Sequence, residues 1–142
     1  MAGNATTDFG APGIPAKDES RKLTAAGARR AHDLVEACWR YLEQVVAGAP
    51  ASLRKGPRGG GRDRDPMYDH VIGAEAAYAG AIGLRLKQPD GSDRAAVRAF
   101  HQAILDRLAN TDPAAKWPAA YAVRRIAWHA LDHAWEIEDR IP

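Results

Sequence analysis

Residues 124–140 read RRIAWHALDHAWEIEDR. At helical periodicity His129 and His133, four positions apart, share one stripe with Ala122, Ile126, Ala130 and Ile137, so both imidazoles are expected to face a core. Arg125, Asp132 and Glu136 line one edge of that stripe, and Trp128 and Trp135 fall on a separate face. Two neighbouring imidazoles in an apolar setting each need a partner, because burying a polar group unpaired costs about 1–3 kcal/mol. One shared cation meets both needs, with each nitrogen at the about 2.0–2.1 Å of a zinc–imidazole bond. From the pair alone the plainer alternative stays open: two packed histidines, each with its own hydrogen bond.

The same periodicity runs back through the chain. A helix is expected from about Asp18–Ser20 to Ala47, with Ala31, Leu34, Val35, Cys38, Leu42 and Val45 as its apolar stripe and Gly48 and Pro50 as its stop. A second begins at Asp65 as N-cap with Pro66 in the first turn, presents Met67, His70, Val71, Ala74, Ala77, Tyr78 and Ala81 on one face, and ends near Gly83–Leu84. The turn KQPDGSD follows, with Ser92 as cap of a third helix carrying Val97, Phe100, Ile104, Leu105 and Leu108. The last helix starts at Asp112-Pro113 or Pro118 and continues to about Arg140. No run alternates with period two long enough to make a strand. The pattern argues an all-α four-helix bundle over residues 18–142, preceded by an arm or strap, residues 1–17. The link GAPASLRKGPRGGGRDRD between helices 1 and 2 is long enough to cross the bundle instead of simply turning.

Composition bounds the rest. The chain has 142 residues, 46% of them hydrophobic and 27% charged, as expected of one ordinary globular domain. Cys38 stands alone, which excludes an intrachain disulfide and a cysteine-held structural zinc, and points to a reducing, cytoplasmic setting. The N-terminal stretch lacks the basic and apolar regions of a secretory signal, and nothing approaches the roughly 18 apolar residues of a membrane span. A formal charge of +2 gives no general attraction to nucleic acid. The basic loop, with Arg54, Lys55, Arg58, Arg62 and Arg64, has neither the order of a P-loop nor interleaved aromatics. It reads as a solvated connection, or as an arch whose Arg58 and Arg62 meet an anionic substrate.

A third histidine joins the pair, because His70 falls on the expected inward face of helix 2. Three inward histidines make a facial set for a divalent ion such as zinc, nickel or iron(II), with positions open for a small-molecule substrate. His32 reads as a solvated flank residue beside Trp39, and His101 as a packed histidine with one hydrogen bond, a fourth-ligand role being the lesser alternative. Glu75 lies at the far edge of its helix face from His70. The pair lacks the glutamate of H-E-x-x-H, since Ala130 holds that position, so a general acid or base would be Glu136 or Asp132. Both also read as surface charges or as carboxylates orienting an imidazole. Arg125 reads as a clamp for an anionic substrate, as a surface arginine, or as a partner of Asp132 or Glu136.

His70 in DPMYDHVIGAE, the pair in WHALDHAWEIEDR, and four helices with a long first connection resemble the DinB-like superfamily of four-helix metal proteins. The resemblance spans the chain from about residue 20 and rests on the three histidines and the helix count. It implies that His70, His129 and His133 bind one metal. It also implies a metal-dependent enzyme, above all a thiol-dependent S-transferase using mycothiol or another low-molecular-weight thiol. Fifteen arginines against five lysines fit a GC-rich, actinobacterial source, for which mycothiol is the natural thiol. The alternatives are a metal-dependent hydrolase and a non-catalytic, metal-stabilised binding or stress-response module. Trp128 and Trp135 are expected beneath helix 1, the other choice being a homodimer seam.

Overall fold

The computed structural model describes residues 14–142, so most of the expected N-terminal arm (residues 1–13) lies outside the described residues. A 3-10 turn, Lys17–Ser20, precedes four α-helices: α1 Ala25–Gly48, α2 Arg64–Ala81, α3 Arg94–Ala109 and α4 Ala119–Asp139. No strand occurs among the described residues.

Helix α1 therefore begins later than expected, because Thr24 provides the cap: its Oγ1 accepts the Gly27 N–H at 3.0 Å. The chain leaves α1 at Ala49 and Pro50, where proline has no N–H to continue the ladder. Asp63, not Asp65, precedes α2, and its carboxylate turns away from the helix to accept the Leu53 N–H and the Lys55 ammonium. Asp65 pairs with Arg64 instead. Pro66 still falls in the first turn, where the backbone donors have no partner within the helix. At the other end Gly83, with φ +80°, lets Leu84 N–H reach the Ala79 carbonyl and Gly83 N–H reach the Gly80 carbonyl, a Schellman closure. Asp93 caps α3 by accepting from Ala95 and Ala96, and the expected cap Ser92 donates to Asp90. Pro118 opens α4, and the Trp117 N–H donates to the Ala81 carbonyl, so the start of α4 is tied to the end of α2.

Helix α4 packs most extensively on α1 and next on α2, while α1 also meets α3. Consecutive helices α1 and α2, joined by residues 49–63, touch little. The core comprises Val35, Leu42, Val71, Ile72, Ile104, Ile126 and Ile137, all essentially fully buried.

The expected face is rotated on α2, one residue of the expected α1 stripe is exposed, and the two α4 tryptophans are exposed. On α2 the buried residues are Met67, Tyr68, Val71, Ile72, Glu75 and Ala79, so Ala77 is exposed and His70 sits half-buried at the edge. The reason is Glu75: a carboxylate 1% exposed is held in the core by the Trp39 indole N–H at 2.6 Å and by His101 Nε2 at 3.0 Å. On α1 the same network pulls Trp39 inward, where it stacks on the His101 ring at 3.8 Å, and leaves Leu34 exposed. Trp128 and Trp135 are 41% and 46% exposed and meet edge to face at 6.3 Å, so they do not lie beneath α1.

Candidate metal centre

Helix α4 carries His129 and His133 one turn apart, and α2, packed against it, brings His70 across. One ligand nitrogen from each of the three lies within 4.8 Å of the other two. The ring centroids of His70 stand 5.3 Å from His129 and 4.9 Å from His133. The closest approach is between the Nε2 atoms of His129 and His133, at 3.2 Å. Two nitrogens bound to one ion at about 2.0–2.1 Å stand about 2.8–3.4 Å apart for right-angle to tetrahedral bonding, so this separation suits a shared cation.

Burial and neighbouring charges favour the neutral state of His129 and His70, which is the state that ligates. Burial is the main cause that lowers the pKa of His129, to about 3, reinforced by His133, His70, Arg125 and Arg62. Burial likewise lowers His70, with Arg62 and His133 adding to it and Glu136 opposing. Glu136 has a specific task. Its Oε2 lies 2.9 Å from His133 Nδ1, which therefore donates and leaves Nε2 bare toward His129. The other oxygen accepts from Arg140 at 2.9 Å. Arg140 also donates from Nε to the Arg54 carbonyl at 2.7 Å, and its own carbonyl accepts the Arg54 N–H at 2.8 Å. A chain of contacts thus runs from the basic loop to a histidine of the cluster. His129 Nδ1 is buried without a partner. The donor set, three imidazoles with one fixed by a carboxylate, fits a divalent ion of the zinc, nickel or iron class.

The remaining sequence candidates separate. Asp132 is half-buried and makes no hydrogen bond or ion pair among the described residues, whereas both oxygens of Glu136 are engaged. Arg125 is 5% exposed and pairs with neither Asp132 nor Glu136. Its guanidinium carbon lies 5.5 Å from the Tyr78 ring, 5.7 Å from Trp117 and 6.0 Å from Tyr121. Arg62 is exposed but close enough to bias His70 and His129, while Arg58 is exposed and remote from any partner among the described residues. His101 is bonded to Glu75 and takes no part in the cluster, and His32 sits at the surface beside Asp33 at 3.2 Å. A cavity of about 410 Å³, lined by Val46, Tyr68, Asp69, Gly91 and Arg94 among others, is walled by none of the three histidines.

Sequence reasoning missed the Trp39–Glu75–His101 network and the aromatic box around Arg125. The only signal in the sequence was that both charged residues lie at the edge of an apolar helix face. Comparison of the chain with protein-family models, with curated proteins and with solved structures finds no match.

Proposed function

We propose that the protein is a metal-dependent enzyme in which His70, His129 and His133 hold a divalent cation, and that its reaction is transfer of a low-molecular-weight thiol to an electrophile. The observation that carries the reading is the convergence of three imidazoles from two helices, with ligand atoms within 4.8 Å of one another. A divalent cation in such a site acidifies a coordinated thiol or water and so supplies a nucleophile at neutral pH. Glu136 orients His133, and Arg140 orients Glu136. His101, the candidate fourth ligand, is committed to Glu75, which supports a site with room for a small molecule.

The DinB-like resemblance belongs to the same proposal, and with it mycothiol or a related thiol and a cytoplasmic setting. No helix among the described residues is long and apolar enough to cross a membrane. Hydrolysis is the second reading, with Asp132, half-buried and unengaged among the described residues, as its proposed base. A homodimer through the exposed Trp128–Trp135 pair is compatible with either chemistry.

Metal analysis of protein purified without added ions tests the site. One equivalent is expected in the wild type and none in His70→Ala, His129→Ala or His133→Ala. A wild-type protein free of metal that also refuses added zinc, nickel and iron(II) would sink the reading. Incubating loaded protein with mycothiol and a reactive electrophile then decides between transfer and hydrolysis, since a transferase needs the thiol and a hydrolase does not.

A further inference from the structure

Arg125 poses a problem that the cluster itself does not answer. It is a permanent cation, 5% exposed, with no carboxylate beside it among the described residues. Unpaired charges are seldom left in a core. Tyr78, Trp117 and Tyr121 offset part of that penalty by offering their rings to the guanidinium. Rings at that range cannot take up all five in-plane N–H groups of an arginine. One terminal nitrogen donates weakly to the Tyr78 hydroxyl at 3.4 Å, and the other is buried with no partner.

The position of this unmet donor is informative. Arg125 precedes His129 by one helical turn on the same stripe, and its charge is one of the causes that hold His129 neutral. Tyr78 bridges the two: its ring lies 5.5 Å from the Arg125 guanidinium carbon and 5.7 Å from the His129 ring. Tyr78 accepts from Arg125, so its own O–H remains available to donate onward. Two donors, a guanidinium N–H and a phenol O–H, match the two oxygens of a carboxylate. A phosphate would bring more oxygens than this box has donors to meet.

We propose that Arg125 and Tyr78 form a carboxylate subsite beside the three-histidine cluster, and that the small molecule used there is a carboxylic acid: in the thiol-transfer reading, a low-molecular-weight thiol bearing a carboxylate, in place of mycothiol, which carries none. The subsite rests on the metal-centre reading only for what the other end of that molecule does. Arg62, exposed in the basic loop and felt by both His70 and His129, adds to the attraction for an anion.

The test compares 3-mercaptopropionate with its neutral isostere 3-mercaptopropionamide on the full-length protein. Cobalt(II)-loaded protein reports thiol binding by sulfur-to-cobalt absorption. Cobalt-free protein reports anion binding by the NMR resonances of the Arg125 guanidinium and the Trp117 indole. The acid is expected to bind about tenfold or more tighter than the amide, the worth of one charge-assisted hydrogen bond. That ratio should collapse toward one in Arg125→Met and fall part-way in Tyr78→Phe, which keeps the charge and the packing. Equal affinities for acid and amide in the wild type, with no movement of the Arg125 or Trp117 resonances, overturn the subsite whether or not cobalt binds. Protein that refuses cobalt yet still shows the acid-specific shifts overturns the metal centre and supports the subsite.

Discussion

Glu136 spends one oxygen on His133 and the other on Arg140, and that division has a measurable result. Replacing the carboxylate by an amide in Glu136→Gln keeps the shape but weakens the acceptor that fixes His133 with Nε2 bare. Metal affinity should fall about 10–100-fold, the usual loss for a carboxylate behind a ligating histidine. Chelator competition measures it, and Asp132→Asn should leave the affinity unchanged. Single residues were unequally legible. His129 and His133 were readable because a helix fixes the direction of positions four apart. The partner of Arg125 was not, because it depends on which rings α2 and the 110–118 segment bring over α4. The burial of Glu75 was not legible either, because its satisfaction comes from Trp39 on α1 and His101 on α3, elements that no local pattern joins.

At the scale of elements, glycines and prolines marked the stops well, and the exact starts were harder. Asp63 and Asp65 are chemically the same cap, and Ser92 and Asp93 are adjacent competitors. Only the turn that precedes each helix decides which side chain reaches the free N–H groups. Two comparisons follow. Asp93→Ala should cost about 1 kcal/mol of unfolding free energy, because the N–H groups of Ala95 and Ala96 lose their acceptor, and Ser92→Ala should change it far less. Gly83→Ala, at φ +80°, should likewise cost about 1 kcal/mol, since the left-handed position closing α2 then carries a Cβ. Urea midpoints at constant slope would register both. The face of α2 was the largest error at this scale: one buried carboxylate was enough to turn the apparent stripe.

Across the whole molecule the four-helix plan was legible from periodicity and turn residues, and the pairing of the helices was not, because nothing local says that α4 lies against α1. The 3-10 turn at Lys17–Ser20 also packs on α4, where Glu19 accepts from Arg124 Nε and, at 2.8 Å, from a terminal nitrogen. Arg124 lowers the Glu19 pKa, opposed by burial. With the folded value below the unfolded one, the pair contributes stability above the ordinary carboxylate value of about 4.3 and loses it as pH falls through the lowered value. The Tm difference between wild type and Glu19→Gln should therefore be present at neutral pH and close in acid.

The loop and the histidine cluster are joined through Arg140. Gly61, at φ +111°, leaves room for that guanidinium, which a Cβ there would approach to 2.6 Å. A segment so rich in glycine and arginine suggests amides that trade their hydrogens with water almost at once. The Arg54 amide instead donates to the Arg140 carbonyl, so it should take up deuterium slowly. Loading a cation at the histidines should slow it further, making a loop amide a remote reporter of occupancy. Uptake at Arg54 that is the same with and without the ion would show that the two ends move independently.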